Sequence, residues 1–495
     1  MGGLLWYAVA LLAISLAVPT ELFNPQSTHF LLAIGFIASW RYIWAAVHLV
    51  RSLIYRKIVF PKLRRQMDAM GKDGMPSHAY LLVTSFRIDT QTTSEVYRAA
   101  IEEAARTPIP VTIVASLVEM ADQRLVKHIF QALNPPQHVT LAFIRIAGSG
   151  KRDALAQGLR TIQMMLPAPD SVVVVVDGDT LLEPDCLTRS LPLFKAMPDI
   201  SAFTTDEVCE VRGAPIFKDW YSMRFAQRQI LMGSMGLSKR VLTLTGRMSA
   251  FRADVATDPT FINQLEYDSV NHWRLGRFQF LTGDDKSTWF WILKNGGKMA
   301  YIPDVTVVTV ESPPEDDFLR AATALMVRWF GNMLRTNGRA LALGPRKIGL
   351  FVWWTVLDQR MSMWTASVGP TAAVLLTIYY GPVALIAYVY WIAVTRFIQT
   401  LALLTARNDV RWTYPFLLFF NQIYGSLVKT YIFFRLDKQK WTRQNTTVAR
   451  DLNAFSAWTI NATSVAMHAT AILLFVAAVG TYLGVFRPAS LLFAQ

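Results

Sequence analysis

Hydrophobic positions along the chain fall into three blocks. Residues 4–20 and 29–50 are long apolar runs, each near the roughly 17–25 residues that cross a bilayer as a helix. From about residue 66 to 345 the apolar positions break into short β-rich runs that alternate with helical stretches. The pattern predicts strands at 78–85, 111–116, 140–146 and 171–176, with helices near 94–106, 121–133 and 152–166. Val172 to Val176 give no polar alternation, as expected of a strand buried on both faces. The middle block therefore predicts an α/β domain with a mostly parallel sheet covered by helices.

After residue 345 the apolar character returns, with spans predicted at about 364–380, 382–404 and 464–485. The stretch 346–363 mixes bulky apolar and charged residues, as a helix lying in the membrane interface does. Residues 413–434 are long enough to cross. Yet Arg407 and Arg411 precede them and Arg435, Lys438, Lys440 and Arg443 follow, and both flanks prefer the same side. A re-entrant or interfacial helix pair is the expectation there, giving five spans, with a sixth left open. No Lys or Arg precedes the first apolar run, so it reads as an anchor and not a cleaved leader. Pro19–Thr28 carry no Lys or Arg, whereas Arg51, Arg56, Lys57, Lys62, Arg64 and Arg65 follow the second run. The charge asymmetry places the N-terminus and the middle block in the cytoplasm. The predicted organisation is two transmembrane helices in 1–55, a cytoplasmic domain in 66–345, an interfacial helix in 346–363, and transmembrane and interfacial helices in 364–495.

Composition agrees with a membrane protein. Of 495 residues 53% are hydrophobic, and the mean hydropathy is +0.29. The net charge of +14 includes many residues beside the predicted spans, so lipid headgroups and not nucleic acid are the expected counter-charge. Cys186 and Cys209 are the two cysteines, too few for a disulfide framework or a cysteine zinc site.

The valine run leads directly into Asp177-Gly178-Asp179. Two carboxylates at the carboxyl end of a parallel strand can share one divalent cation such as Mg²⁺ or Mn²⁺, with substrate phosphates completing its shell. A solvated turn is the competing reading. Asp89 closes the first predicted strand in VTSFRID, and Lys151 follows the glycines of AGSGKRDA at a helix start, where a nucleotide diphosphate could bind. A strand-end polar residue and a surface cap are the plainer readings. Asp284 and Asp285 precede a helix; Asp285 is assigned as the general base, with Asp284 beside it as a possible N-cap. Lys286 could meet a donor carboxylate or phosphate, or be an exposed first-turn lysine. Arg328 and Trp329 offer a guanidinium and a sugar-stacking indole for an acceptor. Arg224 to Arg228, RFAQR, carries an RxxxR spacing like half of a cyclic-di-GMP-binding PilZ site, but the other half is missing and it reads as a helix face. Arg41 and Arg396 lie inside predicted spans, where a conduit for an anionic chain competes with lipid snorkelling as their purpose.

This set, in this order and framed by membrane spans, resembles the processive inverting glycosyltransferases of the cellulose, chitin and hyaluronan synthase type. The resemblance covers nearly the whole chain and implies a glycosyltransferase-A-like (Rossmann-like) fold. It implies that Asp89 contacts the nucleotide, Asp177 and Asp179 hold the metal, Asp285 is the base, and Arg328 and Trp329 bind the acceptor. Two departures stand out: Leu325 replaces the glutamine of QxxRW, and Gly283-Asp284-Asp285 replaces the TED-like triplet. The longer strings EMADQRLVK, RIAGSGKRDALA, LSKRVLTLTGRMS, HWRLGRFQFLTGDDKS and FRLDKQKWTRQ resemble the alginate synthase catalytic subunits. That likeness implies GDP-mannuronate as donor and β-1,4-polymannuronate as product, moved across a bacterial inner membrane. It also implies a PilZ-domain co-polymerase sensing cyclic-di-GMP, and periplasmic alginate export and modification proteins. Another processive synthase, a non-processive transferase acting on a lipid carrier, and a nucleotide-binding transporter or scaffold remain the alternatives. A polymer product, and metal-dependent GDP release lost in Asp285→Asn, separate them.

Overall fold

The computed structural model describes residues 2–17, 36–85, 88–147, 150–441, 446–447 and 453–486. The chain divides into two compact units, one of residues 50–356 with 439–449, the other of residues 1–49, 357–438 and 450–495.

The first unit is built on an eight-stranded sheet. Its strands are β1 (Ala79–Thr84), β2 (Val111–Leu117), β3 (Val139–Arg145), β4 (Val172–Asp177), β5 (Thr180–Leu182), β6 (Ile200–Val211), β7 (Met248–Arg252) and, after a hairpin of β8 (Ser269–His272) and β9 (Gly276–Gln279), β10 (Lys298–Glu311). The spatial order is β3-β2-β1-β4-β7-β6-β10-β5. β7 and β5 run antiparallel to their neighbours, and the other pairings are parallel. The fold is thus α/β and glycosyltransferase-A-like with a mostly parallel sheet, as the periodicity and the resemblance indicated.

β1 and β4 form its centre, in a register that sets Val83 beside Val176 and Thr84 beside Asp177. Leu81, Leu82, Val173 and Val174 are fully buried. Each such side chain contributes about 1.5–3 kcal/mol from leaving water, before conformational entropy is counted. The helix Lys151–Met164 lies tight on β1, because a Cβ on Gly158 would come 2.5 Å from Leu82 Cδ1. Parallel β1 and β4 end on the same edge, where β1 leads to Asp89 and β4 to Asp177, so sheet topology gathers the chemistry there.

In the other unit, Val383–Leu403 and Ala454–Tyr482 are long and apolar enough to cross a bilayer, as is the helical run Leu350–Tyr380 that starts in the first unit. Gly2–Leu16 is apolar but shorter. The stretch expected to be interfacial is continuous with Leu350–Tyr380. Residues 413–434 form one helix, Tyr414–Phe433, where a helix pair was expected. Its Pro415 falls in the first turn, where proline is tolerated, so nothing in the sequence interrupts the helix. Residues 18–35, containing the expected turn between the first two apolar runs, lie outside the described residues. Arg41 pairs with Asp358 at 2.6 Å. Arg396, 4% exposed, donates to Gln399 at 2.7 Å and to Gln422.

Candidate active site

Lys151, the first residue of its helix, is the hinge of the site. Its ammonium lies 2.5 Å from Asp177 Oδ1 and 2.9 Å from Asp284 Oδ2. One side chain thus ties the end of β4 to the acidic loop more than a hundred residues later. Burial alone would lower the Lys151 ammonium, but Asp177 and Asp284 outweigh it and hold it above its ordinary value. Burial acts to raise Asp284, yet Lys151 and Arg152 hold that carboxyl below its usual range. Burial also acts on Asp177, which stays raised because Asp179 and Asp284 repel its charge while Lys151 offsets them only in part. Gly246 closes the third side. A Cβ there would sit 2.6 Å from Lys151 Nζ and 2.8 Å from Asp177 Oδ2, so only glycine allows this approach.

The acidic loop is braced from below. Gly283 adopts φ +83°, and a Cβ on it would come 2.8 Å from Asn332, whose Oδ1 accepts from Thr282 Oγ1 at 2.7 Å. Gly283 is the N-cap of the helix Asp284–Lys294, so Asp284 and Asp285 occupy its first turn and neither side chain caps it. Their carboxylates stay available to other groups, and the helix N-terminus favours their charge. Asp285 Oδ2 accepts from Thr243 Oγ1 at 2.9 Å. Lys286 donates to the Leu242 carbonyl and lies 4.9 Å over the Trp289 ring. Burial pushes its ammonium down to about 8, with Asp285 opposing. The segment after Phe433 reaches this loop too, since Gln439 accepts from Leu281 N at 3.0 Å and donates to Gln279 O at 2.8 Å.

The helix Phe318–Ala342 carries Arg328 and Trp329. Trp329 packs against Trp220 at 5.6 Å between ring centroids, and Arg224 stands 4.1 Å above its indole. Arg328 lies 5.9 Å from the same ring. Leu325, at the position of the family glutamine, is buried core and cannot reach a sugar. Behind the aromatic group is a charged layer. Glu207 takes Arg228 and Arg247, and Arg247 also pairs with Glu311 at 2.7 Å. Arg247 feels the charge of Asp179 and Asp177, so this layer adjoins the strand-end carboxylates.

Asp89 sits on the same sheet edge but spends its carboxylate on a helix. It caps Thr90–Arg106, accepting from Thr92 N at 2.9 Å and Thr92 Oγ1 at 2.7 Å, and lies 3.5 Å from Arg212. Phe86, Arg87, Gly148 and Ser149, within the strings VTSFRID and AGSGKRDA, lie outside the described residues. RFAQR is on a helix, Pro215–Gly236, as read, but Arg224 and Arg228 turn inward to the aromatic and charged layers. Sequence reasoning passed over Arg224, Arg228, Arg247, Glu207, Thr243 and Gly246 as site residues. The run LTLTGRMS held a signal for three of them, since a glycine-arginine pair before a short strand departs from simple alternation.

Two carboxylates suit a hard cation that takes the rest of its shell from a diphosphate and water. Asp177 Oδ1 is buried and accepts no aligned hydrogen bond, although the Lys151 ammonium is in ion-pair reach. Among the described residues no group of three or more His, Cys, Asp or Glu could hold a metal alone. Asp177 and Asp179 therefore fit a cation whose shell is completed by substrate.

The family described as Glycosyltransferase like family 2 matches residues 76–332. The glycosyltransferase alg8 of Pseudomonas syringae pv. tomato is 49% identical over 92% of this chain and 92% of its own. The glycosyltransferase alg8 of Azotobacter vinelandii is 46% identical over 96% of each chain. A mannosyltransferase of Pyrobaculum calidifontis, solved with GDP-Man and Mn²⁺, covers 78% of this chain and 98% of its own at 17% identity. The TM-score between the two is 0.45.

Proposed function

The chain belongs to the family 2 glycosyltransferases, with the alg8 glycosyltransferases as relatives along nearly its full length, and on that premise we propose that it is a mannuronan synthase. In this reading it is an inverting, processive enzyme that polymerises mannuronate from GDP-mannuronate into β-1,4-polymannuronate, the alginate precursor. It works as a multi-pass protein of the bacterial inner membrane, with the sheet-bearing unit in the cytoplasm and the polymer moved outward.

The observation that carries this reading is the Lys151 bridge, which gathers Asp177, Asp284 and, one residue on, Asp285 at one sheet edge. The donor diphosphate binds toward Asp177, Asp179, Lys151 and Lys286, with Asp89 near the nucleotide. A divalent cation held by Asp177 and Asp179, when bound, offsets charge on the departing diphosphate. Trp329 and Arg328 hold the acceptor end. Asp285 takes the proton of the acceptor hydroxyl as that oxygen bonds to the anomeric carbon from the face opposite the diphosphate. The bond from that carbon to the phosphate oxygen breaks, GDP leaves, and the configuration inverts. The hydrogen bond from Thr243 fixes the Asp285 rotamer for this step.

Arg41 and Arg396 contribute positive charge along the route of an anionic chain. A co-polymerase with a cyclic-di-GMP-sensing PilZ domain and periplasmic alginate export and modification proteins complete the assembly, by the resemblance stated above. The test is to incubate membranes containing the protein with a panel of sugar nucleotides and digest the product with linkage-specific lyases. Lyase-sensitive polymer made from GDP-mannuronate alone supports the reading. Polymer from a neutral sugar nucleotide, or single-sugar addition to lipid, overturns it.

A further inference from the structure

We propose that Arg228, with Arg224 one helical turn before it, is the receptor for the carboxylate of an acidic sugar at the acceptor end of the growing chain. The inference rests on the function proposed above and deepens it, by assigning the residues that distinguish a uronate from a neutral sugar.

Positions 224 and 228 are four apart on one helix, so both guanidinium groups emerge on the same face. Arg224 stands over Trp329, the expected sugar platform, at 4.1 Å. Arg228 lies within electrostatic reach of Asp285 and Lys286. The two arginines thus line the interval between the platform and the proposed base, where the terminal sugar of an acceptor must lie.

Arg228 is also incompletely satisfied. It pairs with Glu207, but its Nη2 is buried and donates no hydrogen bond. A buried guanidinium nitrogen without an acceptor is costly, and a neutral sugar hydroxyl compensates it weakly. A carboxylate meets a guanidinium in a charge-assisted and often bidentate geometry. Burial already pushes the guanidinium of Arg228 down to about 10, so an added anion relieves a real desolvation cost. Glu207 meets Nη1, and Asp206 and Asp285 add negative charge nearby, but no acceptor is hydrogen-bonded to Nη2. Sites built around a hydrogen-bonding group reject ligands lacking it far more strongly than apolar pockets reject a missing methylene.

The test compares equilibrium binding of a short β-1,4-oligomannuronate with that of its carboxyl-reduced counterpart, on full-length protein in detergent. Wild type is expected to prefer the acidic oligomer by about ten- to a hundredfold, the range a charge-assisted hydrogen bond commands. In Arg228→Gln the ratio should fall to within about threefold of unity, with Arg224→Gln intermediate. Since Arg228→Gln leaves Glu207 with one cation fewer, the paired Glu207→Gln/Arg228→Gln variant keeps that layer neutral and must show the same loss. A preference that survives in both variants, or a wild type that binds the two oligomers equally, overturns the inference. Those results leave the function itself standing if polymer is still made from GDP-mannuronate. A wild type that binds neither oligomer and makes no polymer overturns both.

Discussion

The ammonium of Lys151 lies 2.5 Å from a carboxylate oxygen of Asp177 and reaches Asp284 from the same position. A cation between two partly buried carboxylates keeps them from repelling each other across the site. Lys151→Met should cost on the order of 2–3 kcal/mol, less than a fully buried pair because all three groups keep some water. A thermal melt should show it. Adding Mg²⁺ or Mn²⁺ should raise the melting temperature of the variant more than that of wild type, because the metal then supplies the missing positive charge. Equal metal responses would contradict the bridge as a competitor for that charge.

Gly283 controls where Asp284 and Asp285 point. Its φ of +83° and the 2.8 Å approach of Asn332 leave no room for a side chain. Gly283→Ala should destabilise the fold by about 1–3 kcal/mol through backbone strain. Transfer should fall further than that cost explains, by a hundredfold or so, because a displacement of about 1 Å at a catalytic group has that effect. Folded protein quantified by melting, assayed beside its kcat, separates the two losses.

Parts of this account were readable in the chain itself, for physical reasons. β1, β2 and β4 fell close to their predicted limits because buried parallel strands are continuous apolar runs, and the edge strand β3, only partly buried, was found by its apolar run as well. The relation to the glycosyltransferases was carried by the ordered acidic motifs with Arg328 and Trp329, and the narrower likeness to the alginate synthase subunits by long unusual strings around Lys151, Gly246 and Asp285. β7 was not foreseen: Met248–Arg252 is five residues long and antiparallel, and its place between β4 and β6 depends on pairings distant in sequence. The charged layer was hidden for the same reason. Glu207, Arg228 and Glu311 come from three separate elements and Arg247 from the loop before β7, so no local spacing joins them. RFAQR read as a helix face, and its local spacing does not say which layer that face meets. Only the tertiary fold shows Arg224 on an indole.

Lys286 sets a pH dependence. Burial brings its ammonium down to about 8 from its ordinary value of 10.5. If its charge meets the donor, the donor KM should rise as pH passes 8, by about tenfold for each further unit. For folding the sign is opposite: the lowered value opposes the folded state fully below pH 8, and the penalty fades as pH rises from 8 toward 10.5. A KM profile measured from pH 6.5 to 9.5 should break near 8 in wild type and stay flat in Lys286→Met. A break of equal size in the variant would assign the titration to another group.

In the proposed function the strand-end carboxylates and the acidic loop act on one nucleotide sugar. GDP release from GDP-mannuronate by the purified protein, with and without a divalent metal, measures it most directly when wild type is set beside Asp285→Asn. The account predicts metal-dependent release in wild type, and a fall of at least a hundredfold in the variant while GDP still binds with unchanged affinity. Release that persists in Asp285→Asn would contradict it.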